Sequence, residues 1–128
     1  VQAASGDPDA AEQTLAELSP DEQQDSEIVR LRGQLFFSRV AASAGPPEMV
    51  RQRLASSPDD SEARYQMAAH QVTANDLEGA VDNLLQLMQR DRKFGDDAAR
   101  LALLRLFDLL GDDPAIARYR ARMFAQLH

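Results

Sequence analysis

The sequence predicts an all-α protein, about seven helices folded as antiparallel hairpins and stacked into a right-handed superhelix. Three observations carry this. Alanine, leucine, arginine and glutamine, all good helix formers, are abundant among the 128 residues, and no segment shows the alternation of a half-buried strand. Apolar residues recur at helical spacing, most clearly Leu77, Ala80, Val81, Leu84, Leu85 and Met88. Acidic residues, prolines and glycines punctuate the chain at short intervals, in the order that starts and stops helices.

The first helix opens at Asp7-Pro8, a capping residue followed by proline at the first helical position, and carries Ala11, Leu15 and Leu18 on one face. Ser19-Pro20 ends it. Asp25 caps the second, in which Ile28, Leu31, Leu35, Phe36 and Val40 form the apolar stripe. Gly45-Pro46-Pro47 stops that helix and opens a third, with Met49, Val50 and Leu54 inside, closed by Ser57-Pro58. Asp60 caps the fourth, which holds Tyr65, Met67, Ala68, Ala69 and Val72. Asn75 suits a left-handed C-terminal position, and Asp76 caps the fifth. Phe94-Gly95 breaks that run, and Asp96 caps the sixth helix, from about Asp97 to Leu110, which Gly111 terminates. Asp113-Pro114 opens the seventh, where Ile116, Tyr119, Met123, Phe124 and Leu127 fall on one side.

Composition excludes several classes of function. There is no cysteine, hence no disulfide, thiolate metal site or thiol nucleophile. No apolar run approaches the roughly 18 residues of a membrane span. Residues Val1 to Gly6 are small and polar without a basic residue, unlike a signal peptide. They read as a linker (1–6) to a helical domain (7–128), and the chain as a fragment of a longer protein. A net charge of −7 repels phosphate backbones, which argues against a nucleic-acid partner. The charge is uneven: Val1 to Asp60 carries 11 acidic and 5 basic residues, whereas Pro114 to His128 holds Arg118, Arg120 and Arg122 and no carboxylate. That basic stretch reads either as a helix C-terminus complementing its dipole or as a docking tail.

Catalytic chemistry has little to work with. The histidines are His70, mid-helix with no serine or carboxylate three or four residues away, and the terminal His128. The pairs Asp59-Asp60, Asp96-Asp97 and Asp112-Asp113 each precede a helix, where a carboxylate caps free amides. The glycines stand singly, so no phosphate loop forms. We therefore expect no enzyme activity, no catalytic residues, no cofactor and no metal.

The spacing of the caps identifies the architecture. Asp25, Asp60 and Asp96 open every second helix and lie 35 and 36 residues apart, close to the period of about 34 of tetratricopeptide helix pairs. Ala68 takes the small position where two helices touch, and Gly33 takes it one repeat earlier. Asn75 takes the turn, and Leu77, Ala80 and Leu84 take the inner positions. Arg92 stands where the pattern prefers proline, so the array is degenerate. Such repeats bind other proteins on the surfaces their stacking leaves open. A carboxylate clamp for peptide C-termini is rejected: the one lysine, Lys93, and the asparagines Asn75 and Asn83 are not on the inner face of a first helix.

Two stretches are candidate binding surfaces. The sixth helix, including Phe107, is apolar on most of its circumference; either neighbours cover it on both sides or it exposes a patch for a client or a second copy. In the last helix Arg118, Arg122 and Gln126 face outward, while Tyr119, Met123, Phe124 and Leu127 either pack inward or let the final turn project as an amphipathic hook for a partner groove.

The stretches Ser61 to Ala68, Ala80 to Phe94, Asp96 to Phe107, Gly111 to Pro114 and Ala117 to Phe124 together resemble the C-terminal half of the chaperedoxins, bacterial thioredoxin-like co-chaperones of the CnoX (YbbN) type. The likeness extends over essentially all 128 residues. It implies a tetratricopeptide-like domain that follows a thioredoxin fold in the parent protein. It further implies a cytoplasmic protein-quality-control role, holding unfolded client proteins and passing them to the chaperonin GroEL or to the DnaK system. The terminal helix engages the chaperonin in that family, a role that would fall here on Tyr119, Met123, Phe124 and Leu127. Arg118, Arg122 and Phe107 complete the candidate protein-binding set. The alternative is a structural domain that dimerises its parent chain through the sixth and seventh helices.

Overall fold

A computed structural model describes residues 25–127 except Asp112; of Leu127 it describes the backbone alone. The helix predicted from Asp7 to Leu18 and the linker before it lie outside the described residues. The remaining six predicted helices are all present: α1 Ser26–Ala44, α2 Pro47–Ser56, α3 Ser61–Thr73, α4 Leu77–Arg90, α5 Ala98–Leu110 and α6 Ala115–Leu127. Among the described residues there is no strand.

Local chemistry sets most of the boundaries. The carboxylates of Asp25, Asp60, Asp76 and Asp113 accept hydrogen bonds from the amides of Glu27 (2.9 Å), Ala63 (3.0 Å), Gly79 (3.1 Å) and Ala115 (2.9 Å). Each satisfies an amide that has no intrahelical partner. Asn75 adopts φ +65° between α3 and α4, and Gly111 φ +59° after α5.

The start of α5 departs from expectation. Asp96 is not its cap. The N-cap position belongs to Asp97, whose carboxylate makes no capping bond and instead accepts from Arg100 Nε at 3.0 Å. Gly95, Asp96 and Asp97 run consecutively through left-handed backbone, with φ of 56°, 55° and 73°. An N-cap residue needs an extended conformation for its side chain to reach back to the first free amides, and a left-handed one aims it elsewhere.

Packing follows the tetratricopeptide plan with one departure. The most extensive contact is α3 on α4; α2 packs on α3, and α5 and α6 both pack on α4. The second helices α4 and α6 run in the same direction, tied by Arg122 to Asp82 (2.6 Å) and by Arg92 to the Gln126 carbonyl (2.7 Å). By contrast the first helices α3 and α5 make little direct contact, and α1 packs against both. A helix that meets neighbours on two sides cannot concentrate its apolar residues in one stripe. Accordingly Leu35 and Phe37 of α1 are buried, while Phe36, adjacent in sequence, packs edge-on against Phe37 with ring centroids 5.0 Å apart.

Gly33 explains how closely α1 approaches α5. A Cβ there would lie 2.9 Å from the Arg105 carbonyl oxygen and 3.1 Å from Leu109 Cγ. The small residue therefore serves a contact with the third helix pair, not one within its own pair. Ala68 fills the other predicted small position and is fully buried.

One core cluster runs through all three helix pairs, from Phe37 and Ala68 through Val81, Leu84 and Leu87 to Leu103, Leu106, Phe107, Tyr119 and Met123. A smaller cluster of Val50, Ala63 and Met67 joins α2 to α3. The buried polar residues are also anchored. Arg64 donates to Asn83 Oδ1 (3.1 Å), Gln86 Oε1 (3.0 Å) and the Pro58 carbonyl (2.9 Å), and so fastens α3 to α4 and to the preceding turn. Burial, with Arg90 nearby, lowers its pKa, against a smaller opposing pull from Asp59. His70 is buried too, with Nε2 2.8 Å from the Gly45 carbonyl oxygen, and it braces the bend between α1 and α2.

Candidate protein-binding surface

The predicted binding residues divide sharply by burial. Phe107, Tyr119 and Met123 belong to the core cluster; Tyr119 and Met123 are each 4 % exposed. They hold α5 and α6 on the body of the molecule, and while α6 stays packed they cannot enter a partner. Phe124, by contrast, is 52 % exposed. Helical geometry explains the split. Ile116, Tyr119 and Met123 recur at three and four residues and share one face, whereas Phe124 is turned about 100° from Met123. Exposed Ala117, Ala121 and Ala125 surround it along the helix, making the outer side of α6 a shallow apolar face around one aromatic ring.

The arginines of α6 are partly committed. Arg118 lies 5.1 Å from the centroid of the Tyr119 ring, and Arg120 lies 5.5 Å from that of Phe107. Arg122 pairs with Asp82 across to α4. The guanidinium groups of Arg118 and Arg120 thus lie over the two buried rings.

On α5 both sequence readings hold in part. Ala99, Ala102, Leu103, Leu106 and Phe107 are buried, but Leu101 is 47 % and Leu104 38 % exposed. Leu101, Leu104 and Asp108 fall on one face at three- and four-residue spacing, as Arg120 and Phe124 do on α6. Asp108 feels the charges of Arg105 on its own helix, Arg32 on α1 and Arg120 on α6. Desolvation raises its pKa, and those three cations oppose the rise. The short turn after α5 reverses the chain, and the α6 end reaches Arg92, just before α5 begins. The two helices themselves pack less closely on each other than either does on α4.

Sequence reasoning missed the sorting within the last two helices and the groove at the other end of α1. Val40 and Ser43 of α1, Glu62, Tyr65 and Gln66 of α3, and Phe94, Gly95 and Ala98 around the α4–α5 connector line a groove of about 270 Å³. The Tyr65 and Phe94 rings are 5.7 Å apart and tilted by 58°. Burial raises the Tyr65 pKa, with Arg39 pulling the other way. No local signal marks this groove, because its walls are 50 residues apart in the chain.

Among the described residues no three histidines or carboxylates gather as metal ligands, and no helix is long and apolar enough to cross a membrane. Comparison with curated proteins and with solved structures finds no match. The tetratricopeptide repeat model matches residues 40–128, which takes in the end of α1 and all of α2 to α6. With that match over more than half its length, and with paired helices whose second members stack in parallel, the chain belongs to the tetratricopeptide repeat family.

Proposed function

We propose that this domain is the protein-binding part of a thioredoxin-like co-chaperone, with residues 7–128 as its helical domain and 1–6 as a linker. Its partners are the chaperonin GroEL, the DnaK system and unfolded client proteins in the cytoplasm. The supporting observation is the surface of the last hairpin, where Phe124, Leu101 and Leu104 stay exposed on helices whose other large apolar residues are mostly buried. Tetratricopeptide arrays act by binding other proteins. Burying Phe124 in a partner pocket is worth about 1.5–3 kcal/mol, enough to make it a hot spot. Arg118, Arg120 and Arg122 make the helix around it positive and set the charge of the contact, and Leu127 follows three residues later in the sequence. The domain acts by binding and not by catalysis.

A pull-down of GroEL tests this, using the intact chain, Phe124→Asp, and a chain lacking Met123 to His128. Recovery by the intact chain and loss in Phe124→Asp supports the proposal. Equal recovery from all three removes the terminal helix from it.

The exposed leucines of α5 favour a second reading, dimerisation of the parent chain. Arg118, Arg120 and Arg122 would repel their own copies across a two-fold α6 contact, so a dimer would have to use α5. Light scattering separates the readings: a dimer lost on Leu104→Asp supports the second, and a concentration-independent monomer excludes it.

A further inference from the structure

We propose that the groove between the end of α1, the start of α3 and the α4–α5 connector takes a cationic side chain, arginine or lysine, from a partner polypeptide. Apart from Ala98, the first residue of α5, this site lies outside the terminal hairpin, and it stands whether or not that hairpin binds a chaperonin.

Three observations converge there. The Tyr65 and Phe94 rings meet at 58° and 5.7 Å, a half-buried aromatic corner open toward a groove of about 270 Å³. Aromatic faces attract cations within about 6 Å of the ring centre, and a tilted pair offers two such faces to one group. A carboxylate lines the same groove. Glu62 is exposed, and its one contact among the described residues is an amide hydrogen bond from Gln66 at 3.2 Å, so its charge has no ion-pair partner there. Finally, the rim is acidic and held in an unusual shape. The left-handed run Gly95-Asp96-Asp97 carries two more carboxylates between the lining residues Phe94 and Ala98, and Arg100 engages only that of Asp97.

The occupant follows from charge. A chain of net charge −7 attracts cations, and this groove adds an unpaired carboxylate to two π faces. A carboxylate ligand would meet Glu62 and Asp96. A purely apolar one would take water from Glu62 and give its charge no ion-pair partner in exchange. Arg39 of α1, whose charge pulls the Tyr65 pKa down, opposes a second cation and so provides a diagnostic.

The test is an NMR titration of the full 128-residue chain, isotope-labelled, with acetyl-Gly-Arg-Gly-amide and its citrulline counterpart, which keeps the shape and loses the charge. Saturable shifts centred on Ser43, Glu62, Phe94 and Ala98 are expected with the arginine peptide, with binding at least threefold weaker for citrulline. Glu62→Gln weakens the arginine peptide at least threefold, and Arg39→Gln tightens it about twofold. The spectra themselves verify that each variant is folded. Equal shifts from both peptides, shifts scattered over the acidic surface, or binding indifferent to Glu62→Gln overturn the proposal.

Discussion

The middle and last helix pairs are built from similar residues and end up with opposite characters. In α3–α4 the entering caps are satisfied by Asp60 and Asp76, the buried Arg64 is fully engaged, and the two helices make the most extensive contact in the molecule. In α5–α6 the entering residue is left-handed and uncapped, the helices lean on α4 more than on each other, and three large apolar side chains remain in solvent. A pair with neighbours on both sides buries its apolar surface twice. Among the described residues the last pair packs chiefly on α1 and α4, and that packing leaves Leu101, Leu104 and Phe124 bare. Buried contact concentrates in the middle pair, and the exposed apolar side chains on which the proposed recognition rests lie in the last.

Substitutions sharpen this contrast. Leu84→Ala, in the centre of α4, is expected to cost about 2–5 kcal/mol, while Leu104→Ala on α5 costs a fraction of that; urea titrations of both variants decide it. Arg64→Met keeps the volume but leaves Asn83, Gln86 and the Pro58 carbonyl without their donor, and should lose about 1–3 kcal/mol. A loss under 0.5 kcal/mol would mean that the network is hydrated and not structural. Gly33→Ala tests the bridge from α1 to α5. The gain of about 1 kcal/mol in helix propensity is outweighed by the clash with the Arg105 backbone, for a net loss of about 1–2 kcal/mol.

The two aspartates that precede first helices should respond with opposite signs. Asp60→Ala removes a working cap and costs about 1 kcal/mol. Asp97→Gly relieves a left-handed residue and gives up only an exposed ion pair, so thermal unfolding should move upward by roughly 0.5 kcal/mol equivalent. If both destabilise alike, the Asp97 conformation is not strained.

Asp108 gives the smallest effect, read through pH. Its pKa in the fold is raised, so the folded state holds its proton more tightly than the unfolded chain. The resulting stabilisation is complete below the ordinary carboxylate pKa and is lost as pH rises through the raised one. Asp108→Asn should therefore melt slightly higher than the parent at pH 7, with the gap closing at acid pH. A variant that melts lower at pH 7 would show that the attraction of Arg105, Arg32 and Arg120 outweighs desolvation.

Much of this architecture is legible in short stretches of sequence. The caps at Asp25, Asp60, Asp76 and Asp113, the left-handed Asn75 and the stop at Gly111 are decided by atoms within four residues, and the stripe of α4 by its own periodicity. The terminal surface was half legible. The 100° step per residue separates Phe124 from Met123, and it puts Leu101 and Leu104 opposite Leu103 and Leu106. What periodicity cannot say is which side of a helix apolar all round will find a neighbour.

By itself the sequence determined the six described helices, most of their boundaries and the repeat length, because those follow from hydrogen bonds and propensities internal to each helix. Only the tertiary structure decided that α1 spans α3 and α5, that Gly33 serves α5, that Tyr119 and Met123 are sealed while Phe124 is bare, and that Tyr65 and Phe94 face one groove. Those outcomes depend on which surfaces meet, and contacts between residues tens of positions apart leave no periodic trace in the chain.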